Sequence, residues 1–556
     1  MRTRSADLDD ATGGPPLDVL VVGMGATGAG VALDAASRGL RVLVVDMGDV
    51  ASGTSSKSSK LVHGGLRYLE NYEFGLVREG VVERQLLMRL APHLVRPMDF
   101  LYPVWPDTAR RRLLGLGLST YDVFALANTG GSAVRRHSRI DAEEAVALAP
   151  ALADSGLAYS YLYGDCATDD ARLVLAVVQA ARRFGALVAS YAEVTGLSKG
   201  PDGRVDGAQL HDRLDDRVLQ VRARHVVNAT GVWVDQLQGL EEPGRPGVVQ
   251  PSKGVHVVVP HDRLPLRDTS VLLPSKQGDG RSMFAIPWGR QTILGTTDTP
   301  YDGALADLSL TAEDLDYVLA AGNAVFRTGL TADDVLGAWA GVRPLIKQPA
   351  SGDGSMSDIS RRHTLVEGAG GLLTITGGKL TTYRRMAKDV VDRVVERDGR
   401  RARCRTDEIA LSGRLDVPLL LDEVRAAAVP LGLDDEVARS LVRQLGERAT
   451  DVLQLVAADT RLGERLTPHA PHIAAEVVHA ARAEGAATLE DAYGRRMRLS
   501  LRERDAGLPG ALRAARLLAA ETGRDDAWAQ AQVGAYAEAV RRERGVLGLA
   551  EPALLP

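Results

Sequence analysis

LDVLVVGMGATGAGVALDAASRGLRVLVVD, residues Leu17–Asp46, decides how the rest of the chain is read. An apolar run, Val19–Val22, enters Gly23-x-Gly25-x-x-Gly28. A helix of small residues follows to Arg38, Gly39 ends it, and a second apolar run, Val42–Val45, delivers Asp46. Strand, glycines, helix, strand and acid in this order and spacing form a βαβ nucleotide-binding unit. Gly23 permits the tight turn, Gly25 lets backbone N–H groups approach a pyrophosphate at the helix N-terminus, and Gly28 lets the helix pack on the strand. Asp46 stands where it can accept hydrogen bonds from a ribose. The unit alone does not separate FAD from NAD.

The whole chain sets limits on function. Its 556 residues allow two to four domains with a large core. The net charge of −5 argues against nucleic acid as the main partner. Cys166 and Cys404 stand in no C-x-x-C pattern, so neither a disulfide framework nor a cysteine metal site is expected. No window approaches the ~18 to 20 apolar residues of a membrane-spanning helix. Residues 1–16, MRTRSADLDDATGGPP, lack the apolar core of a signal peptide and are read as a disordered tail on a cytoplasmic protein.

After Asp46 a Gly/Ser/Lys-rich stretch predicts an extended loop over the bound nucleotide. Its hydroxyls (Ser52, Thr54, Ser55, Ser56, Ser58, Ser59) can bond phosphate and ribityl oxygens, and Lys57 or Lys60 can pair with charge. Helical spacing follows from Arg67 to Leu90, and three arginines precede an apolar, helix-like stretch between Pro103 and Ile140. That stretch reads either as an ordinary amphipathic helix or as a surface for anionic lipid. Asp169 or Asp170 is placed to cap the helix that follows Cys166. Alternation from Leu187 to Val227 predicts a β-meander, and Met283–Asp298 predicts a hairpin turning at Trp288-Gly289.

A second glycine turn closes the first part of the chain. A strand, Leu372–Thr376, enters Gly377-Gly378-Lys379 and a helix begins near Thr381, so a helix N-terminus again offers its dipole to negative charge. Two such turns some 350 residues apart suit one long cofactor held at both ends, which fits FAD better than NAD. From Leu420 to Arg544 the pattern is helical, and YGRRMRLSLRER (Tyr493–Arg504) is read as a solvated helix face.

Several stretches, GMGATGAG (Gly23–Gly30), SSKLVHGGLRYLENYEF (Ser58–Phe74), DCATDDARLVL (Asp165–Leu175), NATGVWV (Asn228–Val234), GVHVVVP (Gly254–Pro260), IPWGRQTILGTTD (Ile286–Asp298), GVRPL (Gly341–Leu345) and GGKLTTYR (Gly377–Arg384), resemble the flavin-dependent glycerol-3-phosphate dehydrogenases, within the D-amino-acid-oxidase-like flavoproteins. The resemblance implies an α/β fold. A glutathione-reductase-like FAD-binding Rossmann domain would span 17–397, interleaved with an antiparallel β-sheet substrate domain at about 92–160 and 240–345. A linker at 398–410 would lead to a C-terminal all-α cap at 411–556.

It also implies roles. FAD is the cofactor, held by Gly23, Gly25, Gly28 and Asp46, and by Thr54, Ser55, Ser58, Ser59, Lys60, His63, Gly64 and Gly65 of the loop. Ala229, Thr230 and Gly231, then Asp298, then Gly377, Gly378, Leu380 and Thr381 complete the set. Substrate phosphate falls to Arg67, Arg361 and Lys379 with Tyr68 beside them, since a dianion suits charge-assisted bonds from arginine. The wording SRRHTL departs from the family's after Arg361, which leaves open whether Arg361 or Arg362 faces the site. Asp46 stands where many relatives have Glu, one methylene shorter in reach. His256 is the candidate base and Arg343 the stabiliser of a developing alkoxide. The expected reaction converts sn-glycerol 3-phosphate to dihydroxyacetone phosphate, with electrons passed to a membrane quinone by a homodimer bound peripherally to the inner face of the cell membrane. An oxidase using oxygen, or a flavin binder without turnover, are the alternatives.

Overall fold

The computed structural model describes residues 2–66, 73–106, 111–127, 134–274, 282–347, 362–413 and 416–550. It opens on a helix, α1 (Arg4–Gly13), where a disordered tail is expected. Thr3 caps it by accepting from Ala6 N, and Leu8 and Ala11 are buried in the core beneath the first sheet. Buried Asp7 accepts from Val188 N at 3.1 Å and pairs with Arg2 and Arg182. Two apolar residues look too few to anchor a tail, but here tertiary ion pairs add to them.

Next come β1 (Leu17–Val22), α2 (Ala26–Ser37) and β2 (Val42–Val45). β1 pairs in parallel with β2 on one side and with the strand Arg217–Asn228 on the other. Leu373–Thr376 and Leu187–Ala189 extend the parallel sheet outward. Helices cover it, so its strands read as continuous apolar runs. α2 is buried on nearly every side, packed on the helices Asp170–Arg183 and Tyr383–Arg397. A Cβ on Gly28 would lie 1.8 Å from the Gly23 carbonyl oxygen, so only glycine admits this approach of helix to turn.

The meander consists of Ala192–Lys199, Val205–Asp212 and Arg217–Asn228, and its last strand runs on into the parallel sheet. Leu187–Ala189 belongs instead to the parallel sheet beside β2. A second sheet of ten strands is antiparallel except where Thr269–Pro274 runs parallel to Arg96–Val104. Toward one edge of it Val249–Pro260 is flanked by Gly337–Ile346 and Gln291–Gly295, with His256 opposite Trp339 and Gly295. The hairpin Ser282–Trp288 to Gln291–Gly295 turns at Gly289.

Helices fill the chain from Val417 to Arg544. The stretch expected as a solvated face is instead buried: Arg495 and Arg496 end a π-helical turn and Arg498 lies two residues beyond it, at 7%, 2% and 3% exposure. Arg495 and Arg496 both grip Asp49 of the loop after β2. Arginines read as solvent-facing when an acid that neutralises them lies elsewhere in the chain, and Asp49 comes from the other domain while Glu490 and Asp491 pair with Arg495 locally.

Candidate active site

A cavity of about 710 Å3 runs from the βαβ turn to the second glycine turn, a size suited to a cofactor and a small ligand. Gly23, Gly25 and Asp46 line one end. Thr54, Ser55, Ser58, Ser59, His63 and Gly65 follow along the loop, with Ala229, Thr230 and Gly231 opposite; Gly377, Gly378, Lys379, Leu380 and Thr381 line the far end with His256, Asp298 and Arg343. Gly28, Lys60 and Gly64 do not line it. Gly28 serves the helix packing described above. Arg67, Tyr68 and Arg361 lie outside the described residues. Arg362 is exposed, with a guanidinium nitrogen 3.9 Å from where a Cβ on Gly75 would stand, and does not line the cavity.

At the nucleotide end Asp46 accepts from Met24 N at 2.6 Å and Gly48 N at 2.9 Å. Burial raises its carboxyl above the usual range, and these two donors work against that rise. Ser55 Oγ accepts from Ala26 N at 2.9 Å, at the first turn of α2, and a Cβ on Gly25 would stand 3.0 Å from the same oxygen. Gly23 and Gly25 line the cavity there, so their backbone faces the space a ligand would fill. Thr54 Oγ1 donates to Val342 O at 2.7 Å and so ties the loop to the second sheet.

The far end combines two strands and a helix start. Arg343 stands opposite Ser252, and its guanidinium lies across Gly254, where a Cβ would come within 2.6 Å of it. Gly254 and His256 share a strand face, so the missing side chain brings the cation beside the imidazole. Arg343 also donates to Thr296 Oγ1 at 3.1 Å and pairs with Asp298 at 3.2 Å. Asp298 thus meets the arginine and Ser252. His256 is 1% exposed, stacks on Trp339 at 4.7 Å between ring centroids, and places Nε2 2.8 Å from Ser59 Oγ. Burial, then Arg343 and Lys60, hold its ionisation well below the ordinary histidine range, so the ring is neutral.

Lys60 turns away from the cavity. It is 1% exposed, donates to Asp170 at 2.9 Å and lies over the Trp339 ring. Burial, with Arg498 adding repulsion, brings its ionisation down to about 8. Lys57 pairs with Glu543 of the cap. Thr381 Oγ1 exchanges hydrogen bonds with the backbone of His63, both at 3.3 Å, which joins the second glycine turn to the loop.

Three contributors were not anticipated from the sequence. Trp339 stands four residues before Arg343 on the same strand, so a period of two puts both on one strand face. Tyr121 and Arg84 form a buried cluster with Asp165: Tyr121 OH donates to Asp165 at 2.7 Å and accepts from Gly64 N at 2.8 Å, and Arg84 reaches Asp165 at 2.6 Å. Through Gly64 the cluster holds the backbone that leads to Arg67 and Tyr68. No spacing in the sequence joins these three residues.

Residues 18–384 match the FAD dependent oxidoreductase family, and residues 404–529 match the C-terminal domain of alpha-glycerophosphate oxidase. Glycerol-3-phosphate dehydrogenase 2 of Mycobacterium bovis is 40% identical over 537 residues, covering 96% of this chain and 89% of its own. The chain belongs to the FAD-dependent glycerol-3-phosphate dehydrogenase family. The human mitochondrial family member is 35% identical over 555 residues, 96% of this chain and 74% of its own. The crystal structure of the Bacillus halodurans glycerol-3-phosphate dehydrogenase complexed with FAD superposes with a TM-score of 0.80 at 31% identity, covering 99% of each chain. The family's cofactor is FAD, and its fold is the FAD-binding Rossmann domain with an interleaved sheet domain and a helical cap. The cavity suits that cofactor: a helix N-terminus and open glycine backbone at one end, a second helix start at the other.

Proposed function

We propose that this protein oxidises sn-glycerol 3-phosphate to dihydroxyacetone phosphate and passes the electrons to a membrane quinone. The observation that carries the reading is the neutral His256 ring beside the Arg343 cation at one end of the cofactor cavity. When bound, FAD supplies the acceptor for the hydride that leaves C2. His256 receives the C2 hydroxyl proton at Nε2, with Ser59 Oγ as its hydrogen-bonding neighbour. Arg343 stabilises the alkoxide as charge develops, and Asp298 and Thr296 hold the guanidinium in place. Lys379 at the cavity wall, with Arg67, Tyr68 and Arg361, binds the phosphate.

Among the described residues no helix is long and apolar enough to cross a membrane. In this reading the protein docks peripherally, as a homodimer, on the cytoplasmic face. The docking surface we assign is the outer side of the helix Arg111–Ala127, where Leu116 and Val123 stand 66% and 59% exposed while Tyr121 and Leu118 face inward.

Steady-state turnover of the purified holoenzyme tests the assignment. Dihydroxyacetone phosphate should accumulate with glycerol 3-phosphate and a soluble quinone analogue, and not with plain glycerol. Peroxide formed in step with product under air, with no rate gained from quinone, would make the acceptor oxygen. Binding to vesicles should weaken when Leu116 and Val123 are replaced by Ser.

A further inference from the structure

Arg498 of the cap does not line the cavity, yet a chain of hydrogen bonds leads from it to the proposed base. It adopts the left-handed backbone region at φ 64°, unusual for a long side chain and kept only where surrounding contacts fix it. It is 3% exposed. Its guanidinium donates to Asp169 at 2.8 Å and also to Asp170, the N-cap and first residue of the helix after Cys166. Asp170 in turn accepts from Ser58 N at 3.0 Å and Ser58 Oγ at 2.8 Å, and from Lys60 Nζ at 2.9 Å. Lys60 N closes the turn on Ser58 Oγ at 3.0 Å. Ser59 lies between the two residues that Asp170 grips, and its Oγ meets His256 Nε2.

We propose that Arg498 is a positioning residue: through Asp170 it fixes the Ser58–Lys60 turn and so aligns Ser59 with His256. The cap domain thereby completes the reacting end of the site from behind. The charges fit this use. Asp170 is buried and faces both Arg498 and Lys60, so removal of either cation leaves a buried carboxylate free to draw the turn toward the other. Arg495 and Arg496, three and two residues earlier, grip Asp49 instead, near the nucleotide end, and provide an internal comparison.

This inference rests on His256 acting as the base. The test uses full-length holoenzyme of wild type, Arg498→Met, Arg498→Lys, Asp170→Asn and Arg496→Met. For each, bound FAD is measured first, then the anaerobic rate of flavin reduction at saturating glycerol 3-phosphate and the substrate concentration giving half that rate. Arg498→Met and Asp170→Asn should slow reduction roughly 10- to 100-fold per bound flavin with little change in half-saturation, as expected for a small misalignment. Arg498→Lys should recover part of the rate, and Arg496→Met should lose FAD in preference to rate. An unchanged rate per flavin in Arg498→Met overturns the proposal, as does a loss that Arg498→Lys does not relieve. Should Arg498→Met fail to fold, Asp170→Asn decides by the same criterion. A wild type that glycerol 3-phosphate does not reduce removes the substrate assignment. The ring 15N signals of labelled histidine, with His256 assigned by His256→Asn, then decide the inference: a His256 signal unmoved by Arg498→Met and Asp170→Asn overturns it.

Discussion

Ser59 Oγ lies 2.8 Å from His256 Nε2, joining the loop after the nucleotide unit to the strand that carries the proposed base. Around that ring stand Trp339, Arg343 and Lys60, and burial with the two cations keeps it neutral. The lowered ionisation places the acid limb of flavin reduction below the ordinary histidine value of ~6.5. Single-turnover reduction measured from pH 5 upward should be flat above that value. His256→Asn should abolish the limb and slow reduction about 100- to 10,000-fold. An acid limb centred at or above the ordinary value would move the base elsewhere.

Arg343→Ala should leave FAD content near that of wild type and lower the reduction rate about 100- to 1000-fold, the usual effect of losing one donor to a developing oxyanion. Arg343→Lys should recover little, because Thr296 and Asp298 receive separate nitrogens of the planar guanidinium and an ammonium lacks that fork. Flavin absorbance and stopped-flow rates on the same preparations check both. Loss of FAD with a normal rate per flavin would assign Arg343 to cofactor binding.

Gly28→Ala tests the nucleotide end. The added carbon would sit 1.8 Å from the Gly23 carbonyl oxygen, so either α2 or the turn must shift. Overpacking of this kind costs about 1–3 kcal/mol, and here it also disturbs the phosphate-binding backbone. The variant should purify with little flavin and melt at lower temperature. Wild-type flavin content would show that the turn can relax.

His93, buried where the first domain meets the cap, ionises only near pH 4, because burial and then Arg172 disfavour its charged form. The sign follows from linkage. Above ~6.5 both folded and unfolded forms are neutral; below it the unfolded chain takes up a proton that the folded chain refuses until about 4. Stability falls through that window, by about 3 kcal/mol for this one group. Urea unfolding of wild type and His93→Gln at neutral pH and near pH 4 should show a smaller acid loss in the variant. Equal losses would place the acid sensitivity at other groups.

The parts of the fold that could be read in advance are those whose physics is local. The Gly23–Gly28 turn and the apolar runs beside it need no distant partner, and neither does Gly377–Gly378 before a helix. The Arg495–Arg498 turn could not be read that way: Asp49 and Arg495 are 446 positions apart, and nothing near either shows that the other neutralises it. Lys60 illustrates the same limit on a smaller scale. A serine-rich loop shows that a cation is present but not which way it points, and Asp170 draws this one away from the cavity. His256 and Arg343 were singled out by resemblance. Their proximity depends on the register that sets Ser252 opposite Arg343 and on Gly254 leaving room, neither of which a single strand reveals.

The most direct test of the central claim is the visible spectrum of the purified protein under anaerobic conditions, before and after glycerol 3-phosphate, with plain glycerol as the control. The phosphate ester should bleach the flavin spectrum and glycerol should leave it unchanged. A flavin spectrum that glycerol 3-phosphate does not alter would contradict that claim.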